Sequence, residues 1–218
     1  MTGHAAESKH AYLPGMGHHS LLPLYDPLTR LLGLRSAHRQ LIDDADVRPG
    51  QRVLEIGCGT GNLTLLVKRL QPQTEVVGID PDPKALARAR RKAGRGQLAV
   101  RFDQGFAGTL PYPDASFERV LSAFMFHHLD ADEKRRGFRE VFRVLRPGGS
   151  LHLVDFGGTE DRSEGVIGRM ARHNKHLRDN FGDRIPALMR EAGLADAAET
   201  GHRVTFLGRH TRYRAVRG

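Results

Sequence analysis

A chain of 218 residues with 39% hydrophobic content carries enough apolar mass for one ordinary core, and too little for two full domains. Its one cysteine, Cys58, excludes an internal disulfide and a multi-cysteine zinc site, and no apolar run is long enough to span a bilayer as a helix. The net charge of +9 would suit nucleic acid, but the arginines are dispersed, and no aromatics interleave the densest run (Arg88, Arg90, Arg91, Lys92 and Arg95), so a nucleic-acid partner is disfavoured.

In chain order, residues 1–24 read as a loose arm broken by Pro14, Gly15, Gly17 and Pro23, without the apolar stretch of a signal peptide. With the lone cysteine, this makes a soluble cytoplasmic protein the expectation. Leu28, Leu31, Leu32, Leu41, Ile42 and Ala45 recur at helical spacing, so a helix is predicted from Pro27 to Ala45, with Asp26 as its cap. Strands and helices then alternate: strand 52–56, helix 62–70, strand 75–80, helix 83–93, strand 98–102, strand 119–123, helix 132–145, strand 150–155. The strands are nearly continuous apolar runs, which implies a parallel sheet covered on both faces. Residues 159–181 are charged and irregularly helical, 184–191 form a helix, and the remainder supplies two closing strands.

The stretch Glu55-Ile56-Gly57-Cys58-Gly59-Thr60-Gly61-Asn62 runs from a buried strand through a glycine loop into a helix. Three alternating glycines let backbone approach a ligand closely. A dinucleotide fingerprint would place its third glycine at 62, where Asn62 stands. Such a loop alone also serves as a plain connector. Its neighbours are more telling: Glu55 ends the first strand, and Asp80 ends the second, where a bidentate acceptor could hold both hydroxyls of a ribose. Either carboxylate could instead cap the helix that follows it.

At these residues the chain resembles the class I S-adenosylmethionine-dependent methyltransferases, closest to the group with the ubiquinone and menaquinone biosynthesis C-methyltransferases. Three further blocks share the likeness: Gly78-Ile79-Asp80, Leu110-Pro111-Tyr112-Pro113-Asp114-Ala115-Ser116-Phe117, and Leu145-Arg146-Pro147-Gly148-Gly149. The resemblance implies a single Rossmann-like, doubly wound α/β domain over 25–218. Its sheet would have seven strands, mostly parallel, with one antiparallel C-terminal strand, and residues 159–183 would cover the acceptor. It implies S-adenosyl-L-methionine as cofactor. The loop residues Glu55, Gly57, Cys58, Gly59 and Gly61 would hold its methionine part, and Asp80 its ribose, with Pro81, Gln104, Gly105, Phe106 and Ser122 completing the site. The family usually has an Asp where this chain has Phe106, so adenine would be held instead by Asp103, Gln104 or the face of the Phe106 ring.

Methyl transfer from a sulfonium needs alignment and exclusion of water, and a base only if the acceptor keeps its proton until late. Phe124, Met125 and Phe126 could line an apolar pocket for a small-molecule O or C acceptor, and His127 or His128 could act as base. Histidines at such a corner also serve simply to bind backbone. No metal is expected, because Ser122-Ala123 bring no carboxylate to stand beside Asp155. Cys58 reads as a small packing residue. An RNA methyltransferase would carry an Asn-Pro-Pro-Tyr-like motif after the fourth strand, where this chain has Ser122-Ala123-Phe124-Met125. A nicotinamide oxidoreductase is disfavoured by Asn62, and a non-catalytic cofactor-binding protein is the alternative that Phe106 suggests.

Overall fold

The computed structural model describes residues 34–157, 180–205 and 208–218. The expected N-terminal arm, the opening turns of the first helix with Asp26, and residues 159–179 of the expected cover lie outside the described residues. Helix α1 (Leu34–Ala45) buries Ala37, Leu41, Ile42 and Ala45, the periodic residues of its sequence. Then follow β1 (Arg52–Ile56), α2 (Asn62–Leu70), β2 (Glu75–Asp80), α3 (Pro83–Arg95), β3 (Arg101–Gln104), β4 (Phe117–Ala123), α4 (Ala131–Val144), β5 (Leu145–Phe156), α5 (Arg184–Glu191), β6 (Ala195–Thr205) and β7 (Gly208–Val216).

Helix starts are set by local chemistry. The Asp82 side chain accepts from the Lys84 N–H at 2.8 Å and Pro83 opens α3, so Asp82 is the cap there and Asp80 is left for other partners. Asp130 and Glu133 form a reciprocal capping box, which starts α4 at Ala131. The starts of β3 and β5 differ most from the sequence pattern. Gln97 takes a left-handed φ of 50°, and the Leu98 N–H bonds back to the Ala93 carbonyl at 3.0 Å. That is a Schellman-type helix end with Leu98 as its apolar contact, so β3 starts at Arg101 rather than at Leu98. At β5, the Pro147-Gly148-Gly149 turn is drawn into the strand by pairing with Arg217: Gly148 N–H to the Arg217 carbonyl at 2.7 Å, and Arg217 N–H to the Gly149 carbonyl at 2.9 Å.

The seven strands lie in the order β3-β2-β1-β4-β5-β7-β6. Strands β1 to β5 are mutually parallel, while β7 runs antiparallel to both β5 and β6. Successive strand residues face opposite sides, and both sides are buried. Leu54, Ile56, Val120, Leu151 and Tyr213 pack under α4 and α5 with Phe138, Val141, Ile185 and Met189. Val53, Val76, Leu121 and Val154 pack under α1 and α2 with Leu41, Leu63 and Val67. The chain moves outward from β1 to β3 and returns to β4 on the other flank of β1. This switch point opens a crevice at the carboxyl ends of the strands.

Candidate active site

Gly57, Gly59 and Gly61 all have left-handed φ (73°, 51° and 77°), and each for a different reason. A Cβ on Gly57 would lie 2.2 Å from Met125 Cγ, and one on Gly61 3.0 Å from both Ala89 Cβ and Phe102 Cζ. At Gly59 nothing stands within 4 Å, so this glycine alone faces open space. Its N–H donates to Asp80 Oδ2 at 2.8 Å, and the Asp82 N–H donates to Asp80 Oδ1 at 2.9 Å. Each Asp80 oxygen therefore has one backbone donor and keeps acceptor capacity for a diol. Burial raises the Asp80 pKa above the usual carboxylate range despite those two donors.

Glu55 is 3% exposed and hydrogen-bonded to the Thr64 hydroxyl on α2. Burial pushes its pKa up to about 8. Cys58 is buried, and a Cβ on Gly78 would come within 2.9 Å of its sulfur, so the thiol fills the space that glycine leaves. Burial, then the Glu55 and Asp80 carboxyls, push that thiol well up, which suits packing and not nucleophilic attack. Sequence reasoning missed Lys92. It lies in the densest basic run, and its Nζ donates to the Thr60 carbonyl (3.0 Å), Thr60 Oγ1 (2.9 Å) and Asn62 Oδ1 (2.9 Å). The ammonium thus ties down the loop from outside, with three donors for three oxygens.

At the neighbouring strand ends, the Gly105 N–H donates to the Asp80 carbonyl at 3.2 Å, and Gln104 Nε2 to the Pro81 carbonyl at 3.2 Å. These contacts bring Pro81, Gln104 and Gly105 beside Asp80. Phe106 is 43% exposed on the loop that follows. Asp103 is committed elsewhere, to Tyr112 Oη at 3.0 Å and to Arg101. Ser122 has no exposed surface, and its hydroxyl donates to the Ile56 carbonyl at 2.9 Å, tying β4 to β1 and presenting nothing to the crevice.

Beyond β4, Phe124 has φ 55°, uncommon for a bulky side chain. Its ring centroid lies 5.3 Å from that of Phe156 and 5.1 Å from that of His210. His127 Nδ1 is 2.6 Å from Asp155 Oδ1, and the His127 N–H donates to Asp155 Oδ2 at 3.1 Å. The Phe156 N–H donates to Oδ1 as well, at 2.7 Å. Burial of Asp155 opposes ionisation, but His127 and the Phe156 N–H outweigh it and hold the carboxyl below its usual range. His128 is exposed, its ring 4.0 Å from that of His127. Burial lowers the His210 pKa to about 4 and leaves that ring neutral at physiological pH. Sequence spacing gave no sign of the His127–Asp155 pair or of the contact of Phe124 with the Phe156 and His210 rings, because three separate strand ends supply them. Among the described residues, no group of three His, Cys, Asp or Glu could hold a metal ion. No helix among them is long and apolar enough to cross a membrane.

Residues 53–149 match the methyltransferase domain family. The chain is 35% identical over 209 residues to a demethylmenaquinone methyltransferase of Deinococcus radiodurans, across 90% of this chain and 85% of that one. It is 39% identical over 153 residues to a demethylmenaquinone methyltransferase of Thermus thermophilus, covering 69% of each. Among solved structures, the YcgJ protein of Bacillus subtilis shares the fold with a TM-score of 0.70 at 20% identity, over 84% of this chain and 98% of that chain. At this identity and span, the chain belongs to the S-adenosylmethionine-dependent methyltransferases, in the group that contains the ubiquinone and menaquinone biosynthesis C-methyltransferases.

Proposed function

We propose that the crevice at the ends of β1, β2 and β3 is the cofactor site, and that the methyl acceptor is a small ring compound of the quinone-precursor kind named for the relatives, methylated at carbon or oxygen. The observation that carries the reading is the pairing of Gly59, open to the crevice, with Asp80, whose oxygens each retain acceptor capacity. Asp80 then holds the ribose diol. The Gly57–Gly61 loop and Glu55 take the methionine part. Gln104 offers its side-chain oxygen, and Phe106 its exposed ring face, to the adenine. Bound there, S-adenosylmethionine supplies a methyl group on a sulfonium, an electrophile that needs no metal.

Met125, which packs on Gly57, leads from the end of β4 to His127, so the acceptor space lies over β4 and β5, beside Phe124 and Phe156. A nicotinamide dinucleotide fits less well, since Asn62 occupies the place of the third glycine and is held by Lys92. Arg90 and Lys92, within the densest basic run, point their charge at the Phe102 carbonyl and the glycine loop, which weakens the case for a nucleic-acid surface there.

Calorimetry with S-adenosylhomocysteine tests the assignment. Asp80→Asn is expected to weaken binding at least about tenfold, from lost charge-assisted bonds worth roughly 1.5–3 kcal/mol. Phe106→Ala is expected to weaken it by a smaller factor, about threefold to tenfold. Parent protein that binds no S-adenosylhomocysteine would sink the cofactor site as described.

A further inference from the structure

Building on the methyl-transfer reading, we infer that His127 and Asp155 form a base dyad that takes the proton from a ring hydroxyl of the acceptor. The Asp155 carboxylate has no exposed surface and is fixed by three donors: the His127 ring, the His127 backbone N–H and the Phe156 N–H. A carboxylate at Nδ1 places the ring proton there and leaves the lone pair on Nε2. Nε2 has no partner among the described residues, and the side chain keeps 13% of its surface exposed. The ring abuts Phe156 edge-on, at 5.1 Å and 77°.

Aromatic rings pack around the dyad. Phe156 also meets His210 at 4.9 Å and 79°, and Phe124 meets both; Phe156 and His210 are buried, and Phe124 is half-buried just after β4. The groups that face the dyad are few. His128 lies beside His127, and His210 faces Asp155 from β7, with Arg203 acting on His210 in turn. No second carboxylate competes for the proton among these.

The step balances simply. The acceptor O–H bond breaks, the proton passes to Nε2, and its bonding pair stays on oxygen, delocalised to the ring carbon beside it. The imidazolium formed is paired to Asp155. Either that oxygen or that carbon then bonds the methyl group as the methyl–sulfonium bond breaks with its pair leaving on sulfur. After C-methylation the ring carbon loses its own proton to solvent and the imidazolium returns its proton to the oxygen, whereas after O-methylation the imidazolium releases it to solvent. His127 is the catalytic residue, and Asp155 a positioning residue that acts through it.

The experiment uses the acceptor's own acidity. With unsubstituted 1,4-hydroquinone, His127→Ala and Asp155→Asn are expected to lower kcat at least about 100-fold. With a nitrated hydroquinone, already ionised at the assay pH, each variant's deficit shrinks at least about tenfold. Asp155→Glu is expected to restore part of the rate on the unsubstituted ring. A binding readout stands apart from turnover. At a pH where free 4-nitrocatechol is mostly protonated, parent protein raises its phenolate absorbance, and Asp155→Asn does not. Equal deficits on both hydroquinones, no deficit on either, or parent turnover of neither would overturn the dyad. Unchanged S-adenosylhomocysteine affinity in both variants separates that failure from failure of the cofactor site, and matching melting curves exclude misfolding as the cause of the expected loss.

Discussion

Glu55 sits in the first strand with its carboxyl under α2, fully enclosed and paired to Thr64. A carboxyl whose pKa climbs to about 8 on folding binds a proton more tightly folded than unfolded. Stability from this group is therefore present at low pH and declines as pH rises from the unfolded value of about 4.5 through about 8. In the ligand-free protein, Glu55→Gln is expected to raise the melting temperature at pH 8.5 by on the order of 5 °C and to change it little near pH 4.5, which a pair of thermal melts would decide. At this scale, the sequence displayed Glu55 because it precedes a glycine-rich loop, and Asp80 because it ends the next apolar strand. It could not display Asp155 as the partner of His127, or Lys92 as the tether of the loop. Those contacts join residues about 30 apart, and nothing local marks them.

At the scale of elements, the glycine loop separates packing from ligand access. Gly61→Ala forces a Cβ against Ala89 and Phe102 in a left-handed backbone, so the expected result is a loss of about 2–3 kcal/mol in denaturant unfolding. Gly59→Ala meets nothing within 4 Å and pays only the backbone strain, about 1 kcal/mol, yet its methyl enters the space left for the ligand. It is expected to cost less stability than Gly61→Ala and more affinity for S-adenosylhomocysteine, at least about tenfold. The reverse ranking would contradict the assignment of the open face. Helix spans were legible to within a residue or two at α2, α3 and α5, where caps and periodicity agree. The start of β3 was not. Leu98 and Val100 look like strand in a linear reading, but Leu98 serves the end of α3. Apolar character alone does not distinguish a strand residue from a helix's closing contact.

For the whole molecule, alternation of apolar strands with helical stripes announced a doubly wound sheet, and the count of seven strands agrees with it. The lateral order does not follow from that pattern, and neither does the insertion of β7 between β5 and β6, because pairing partners leave no trace in one strand's own residues. The chain's end helps close the structure. Arg217 Nη1 donates to the carbonyls of Phe142, Arg143 and Leu145 at 3.1, 2.9 and 2.5 Å, and the guanidinium lies 4.8 Å from the Phe142 ring centroid. It joins β7 to the last turn of α4, where a cation also suits the helix dipole. Arg217→Ala is expected to cost about 1–2 kcal/mol, read as a melting shift of roughly 2–8 °C. Cofactor affinity should be untouched, since the contact lies at the far end of the sheet from Asp80.

One carboxylate both grips the sugar in the proposed site and anchors the Gly59 amide. Ligand recognition and loop rigidity therefore cannot be adjusted independently through position 80. A redesign meant to accept a cofactor analogue with an altered sugar would have to install a replacement anchor for Gly59 at the same time, or trade selectivity against a slack loop.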